Sequence, residues 1–125
     1  VLSVRPLVLA FSLPRMVLRV FGAPHRPSRP YHELVALYRQ KLAEGARASR
    51  PYVPSQQFRK TPQQMLQRFE KTYHRFAAHV KPWQEDQLDQ YQLRHPILGN
   101  LTLREMLAFT VYHVHHHHQL LKSRL

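Results

Sequence analysis

A chain of 125 residues is long enough to bury one hydrophobic core and too short for several, so a single domain spanning residues 1–125 is expected. Nineteen Lys and Arg against seven Asp and Glu give a formal charge of +12, which attracts polyanions, yet no nucleic-acid reader motif accompanies it. The absence of cysteine excludes disulfides, thiolate ligands and a cysteine nucleophile, and fits a reducing compartment, from which a cytoplasmic location is expected.

The opening stretch is apolar, with Val4, Leu7, Val8, Phe11, Leu18 and Phe21 recurring at helical intervals. Its uncharged run from Pro6 to Pro14 is far short of the roughly 20 residues that a membrane span needs, so no membrane partner is expected. Pro6 and Pro14 each remove an intrahelical hydrogen bond, which predicts a kinked helix ended by Gly22. The chain begins at Val1 rather than at a methionine, and an N-terminal truncation is the expectation drawn from that.

Residues 23–30 carry three prolines and no periodicity, and read as a linker. Ser28 is then expected to cap a second helix with Leu34, Val35, Leu37, Tyr38 and Leu42 on its apolar side and Gly45 as its stop. Residues 46–60 read as an irregular basic loop. Thr61, Pro62 and Gln64 form a strong helix start, a capping box with proline in the first turn. Behind it Met65, Phe69, Tyr73, Phe76 and Val80 share one stripe, with His74 well outside and His79 at its edge. After Pro82, residues 83–91 have room for a short helical turn, and His95 to Asn100 are rich in turn formers.

A second capping box, Thr102 with Glu105, opens the last helix, whose stripe is Leu103, Met106, Thr110, His113, His117 and Leu120. With no convincing strand pattern, four such helices predict an all-α bundle. At about 100° per residue, His117 lies about 40° from His113, within the apolar stripe, while His115 and His118 point away. His116 borders the stripe, about 60° from His113, and is a candidate for supporting the ligands from behind. Neighbours at i and i+4 have Cβ atoms about 6 Å apart, close enough for two imidazoles to converge on one divalent ion. Ordinary core histidines satisfied by hydrogen bonds are the competing reading. A catalytic glutamate of the HExxH type is missing, because Val114 follows His113, so protease chemistry is disfavoured.

The run from His95 through Pro96, Leu98, Gly99, Leu101, Thr102, Arg104, Glu105, Met106 and Leu107, followed by Tyr112, His113, His116 and His117, resembles the C-terminal signature of the DinB-like superfamily. Leu2 to Leu7, Arg26 to Arg29 with Tyr31 to Val35, and the acidic stretch after Trp83 resemble earlier parts of that pattern. The resemblance implies an up-up-down-down four-helix bundle, here lacking its first helix and the start of its second. It also implies a three-histidine site for a divalent ion (zinc, nickel or iron), with His113 and His117 as two ligands and the third upstream of Val1. Some members of that superfamily transfer low-molecular-weight thiols in a metal-dependent way. A small-molecule thiol substrate and a homodimer are therefore expectations, with a transferase or hydrolase as the activity; no catalytic residue is assigned. A non-enzymatic helical scaffold and a basic nucleic-acid-binding module are the alternatives, the latter disfavoured. His95 is expected to fix the turn before the last helix.

Overall fold

A computed structural model describes residues 5–47 and 60–124. Its elements in chain order are α1 (Arg5–Ser12), α2 (Arg15–Leu18) with a 3-10 turn at Arg19–Phe21, α3 (Tyr31–Ala43), α4 (Pro62–Val80), a 3-10 turn at Asp86–Asp89, β1 (Gln92–His95), β2 (Gly99–Thr102) and α5 (Leu103–Ser123). Most described residues are helical, and α1 with α2 are the two halves of the anticipated kinked segment. Pro6 lies in the first turn of α1, where its missing N–H costs nothing, so the break falls at Pro14 alone.

The break at Pro14 and the end of the segment at Gly22 leave backbone carbonyls without helical partners, and side chains from far along the chain supply donors. The Trp83 indole Nε1 donates to the Phe11 carbonyl at 3.1 Å, and the Gln92 amide donates to the Phe21 carbonyl at 2.7 Å. Phe11 meets Phe76 and Trp83 edge-on, at centroid separations of 5.8 and 5.5 Å, and the Arg15 guanidinium lies 3.8 Å above the Trp83 ring. Gly22 ends the segment at φ +81°, a left-handed conformation that a side chain resists.

Ser28 does not cap α3. Pro30 holds the N-cap position, because the residue before a proline is driven out of the helical region and a helix cannot start earlier. The Ser28 hydroxyl instead donates to Asp89, and that single proton leaves Thr102 Oγ1 as the donor across their 2.7 Å contact. At the far end, Gly45 at φ +94° closes α3 as anticipated: its N–H donates to the Leu42 carbonyl and the Ala46 N–H to that of Lys41, both at 3.0 Å. The basic loop expected at 46–60 falls largely outside the described residues, as do Arg50 and Arg59.

The expected helical class holds for most of the described residues, and the structure adds one small element to it: β1 and β2 form an antiparallel hairpin with Gln92 opposite Thr102 and His95 opposite Gly99. Strands of four residues are too short to display an alternation, and Gln92 hides the pattern further by being polar and buried. Imidazole chemistry organises the connection. His95 Nδ1 accepts the N–H groups of Ile97 and Leu98, each at 3.1 Å, and Gly99 turns at φ +76°. Burial holds the His95 pKa down to about 4, so the ring keeps the lone pair that those amides need.

The predicted capping boxes are both present: Thr61 with Gln64 on α4, and Thr102 with Glu105 on α5. α1 lies against α4, and α3 against α5. Among the described residues no helix is long and apolar enough to cross a membrane.

Candidate metal centre

The helix that carries the histidines is fixed at its start by a buried ion cluster. Glu105 is fully buried and accepts from the Thr102 N–H at 2.9 Å, Arg26 Nη1 at 2.9 Å, and the Arg29 backbone and guanidinium at 3.2 Å each. A carboxylate out of water requires such partners, and two guanidiniums with two amides fill its lone pairs. Arg104, one residue earlier, binds Asp89 and Glu85 at 2.8 Å each, tying the turn after Trp83 to the same helix end. That arginine and the Ser28 hydroxyl hold the Asp89 carboxyl below its usual range. The sequence shows Glu105 as a capping residue and Arg26 and Arg29 as linker charges. Their meeting was not anticipated, since nothing local relates positions 26 and 105.

Three turns of α5 then lead to the paired imidazoles. Phe109, four residues before His113, stacks on its ring at 5.4 Å and 21°. From α3, Tyr38 presents its ring edge-on to His113 and to Phe109, at 6.4 and 4.8 Å. His95 meets the far side of Phe109 edge-on at 4.5 Å. His113, 9 % exposed, is thus held by rings from two helices and backed by the hairpin. The stripe read from the sequence omits Phe109, although the i−4 relation to His113 was the signal that could have found it; Tyr38 was visible only as an apolar position of its own helix.

His113 Nε2 and His117 Nε2 are 3.1 Å apart, with their rings nearly perpendicular. Two nitrogens bound to one ion at about 2.0–2.1 Å are separated by roughly 2.9–3.4 Å, for ligand angles from a right angle to tetrahedral. At that distance one neutral ring donates a hydrogen bond to the other, and the same spacing fits two adjacent positions on a divalent metal. Burial, and next the neighbouring His117, lowers the His113 pKa to about 4, and burial lowers that of His117 as well. Both rings are therefore neutral near pH 7, the form that ligates a metal.

His116 is half-buried, stacked on Tyr112 at 5.7 Å and 5.7 Å from the His117 ring; those contacts are ring packing. His115 and His118 are exposed, as are His25, His32 and His74, which the structure does not bring to the pair. Among the described residues no group of three His, Asp or Glu side chains is placed to hold an ion. Of the basic residues, Arg15, Arg26 and Arg29 are engaged internally.

The sequence model of the DinB superfamily matches residues 9–121, nearly the whole chain. No curated protein and no solved structure shows significant similarity to it.

Proposed function

The chain belongs to the DinB superfamily, and from that premise we propose that it binds a divalent metal ion through His113 and His117, on a bundle connected up-up-down-down. The observation that carries this reading is the 3.1 Å separation of the two Nε2 atoms. It is supported by the neutral state of both rings and by the aromatic cradle that fixes the inner one. His113 and His117 would hold the ion, which would supply Lewis acidity toward a water or thiol. The chain's own residues perform the remaining tasks. Phe109 and Tyr38 shield the inner side of His113 from water and fix its ring plane, while half-exposed His117 forms the accessible side. With this arrangement a metal-dependent thiol transferase or hydrolase is the activity proposed.

Metal content tests the reading. After dialysis against zinc, nickel or iron(II), the untagged protein is expected to retain metal, and His113→Ala/His117→Ala to lose it with helicity unchanged by circular dichroism. Stoichiometric metal in the double variant overturns it. Metal-dependent transfer of a low-molecular-weight thiol to an electrophile, abolished by chelation, tests the enzymatic part separately.

A further inference from the structure

The segment from Arg15 to Phe21, one α-helical turn followed by a 3-10 turn, buries a single residue, Leu18. Met16 and Val20, two positions to either side of it, project away from the core and are 79 % and 80 % exposed. Val17 and Phe21 flank them at 47 % and 46 %. Isolated apolar side chains on a surface are ordinary, but four large ones within six residues form a ridge.

Beside the ridge lies a cavity of about 370 Å³ lined by Arg19, Gly22, Ala23, Gln90 and Tyr91. Arg19 is exposed, and among the described residues its guanidinium has no hydrogen-bond or ion-pair partner, whereas Arg15 is held by Gln87 and the Trp83 ring. Residues 1–32 hold five arginines and no acid. Of the three acids on the turn that Arg15 reaches, Glu85 and Asp89 are paired with Arg104, and Asp86 is exposed.

We infer that this ridge docks on an anionic phospholipid surface, with Met16, Val17, Val20 and Phe21 entering the headgroup layer and Arg19 taking a headgroup phosphate beside them. A helix lying in the plane of the interface needs only one apolar side, so the short apolar runs that exclude a span leave this attachment open. Nucleic acid would engage the charge and leave the apolar side chains in water, whereas an anionic bilayer satisfies both. A guanidinium suits a phosphate through two parallel hydrogen bonds. A short ridge anchors weakly by itself, as does a basic surface; the two together give reversible attachment. Neither His113 nor His117 takes part, so the attachment stands or falls apart from the metal-binding reading.

Flotation of the full chain with lipid vesicles is the test. Binding is expected to phosphatidylglycerol vesicles and not to phosphatidylcholine. Raising the salt from about 0.01 M to 0.15 M, which shortens the screening length from about 30 Å to 8 Å, loosens it. Met16→Ser/Val20→Ser, at strongly exposed positions, is expected to weaken binding about tenfold or more with helicity unchanged by circular dichroism. Arg19→Gln is expected to weaken it about fivefold. Lys122→Gln/Arg124→Gln removes two charges at the far end of α5, roughly 30 Å from the end that meets Tyr91, and is expected to change it little. Val20→Trp is expected to shift its emission to the blue on phosphatidylglycerol vesicles, with buried Trp83 as a constant background. Binding that Met16→Ser/Val20→Ser leaves unchanged, or that Lys122→Gln/Arg124→Gln weakens as much as Arg19→Gln, is adsorption by net charge and overturns the inference. So does release by inorganic phosphate beyond that of chloride at equal ionic strength, which makes free phosphate the ligand. A doubling of mass without lipid, lost in Met16→Ser/Val20→Ser, makes a second copy the occupant and overturns it too. Binding to single-stranded nucleic acid but not to vesicles, or no binding to phosphatidylglycerol, has the same consequence.

Discussion

α4 and α5 begin alike and end up in different environments. Each opens with a threonine capping box, and each carries an apolar stripe about five turns long. In α5 the stripe is covered from its first residue, with Leu103, Met106, Thr110 and His113 buried, and it emerges only beyond His113. In α4 the order is reversed: Met65 and Phe69 are about half exposed, and cover comes at Phe76. Burial concentrates where the helices meet the kinked segment and the hairpin. An amphipathic stripe therefore states which face of a helix can be buried, and neighbouring elements decide how much of it is.

The two capping boxes differ in the same way, and substitutions there separate local from tertiary energy. The largest effect is expected from Glu105→Ala. It removes the cap and leaves Arg26 and Arg29, each about 30 % exposed, facing a void where a carboxylate was. Removing one partner of a buried pair costs about 3–5 kcal/mol, and because both guanidiniums can rehydrate, a loss near 3 kcal/mol is expected by urea denaturation. A loss near 1 kcal/mol instead would mean that Glu105 acts as a cap and no more.

Of similar size is the response to acid. His95 has a folded pKa of about 4 against an ordinary 6.5, so the unfolded chain binds the extra proton first. Its contribution is complete above pH 6.5 and lost as the pH falls to 4, amounting to about 3 kcal/mol. Asparagine offers an oxygen near the position of Nδ1 and does not titrate. His95→Asn is therefore expected to flatten the stability profile between pH 6.5 and 4 by that amount, leaving the residual slope of His113. A profile unchanged by the substitution would show that the hairpin does not depend on the neutral ring.

At α4, Thr61→Ala is expected to cost about 1 kcal/mol, the ordinary worth of a helix cap, since Gln64 is exposed and joins no ion cluster. A loss matching that of Glu105→Ala would erase the contrast between the two helices. The smallest effect has the opposite sign. The Tyr112 hydroxyl is buried with no hydrogen-bond partner among the described residues, so Tyr112→Phe is expected to be neutral or to raise stability by up to about 1 kcal/mol in thermal melts.

Much of the fold and the helix face shared by the two histidines were legible in the sequence, and the reason in each case is locality. The capping boxes, the stop at Gly45, the break at Pro14 and the shared face of His113 and His117 each involve residues within one or two helical turns. The hairpin escaped because its four-residue strands are defined by pairing across a turn rather than by a pattern along the chain. Ser28 was misread for a related reason: its hydroxyl is taken by Asp89 and Thr102, more than 60 positions away.

The sequence by itself determined that α5 is a helix carrying two histidines one turn apart on its inward face. Helix geometry places i and i+4 together whatever surrounds them. Only the tertiary structure decided what surrounds those histidines. It brought Tyr38 from α3 against His113, placed His95 behind Phe109, and buried the pair enough to keep both rings neutral. Those contacts join residues distant in the chain, and ring orientation and protonation follow from the surroundings rather than from spacing.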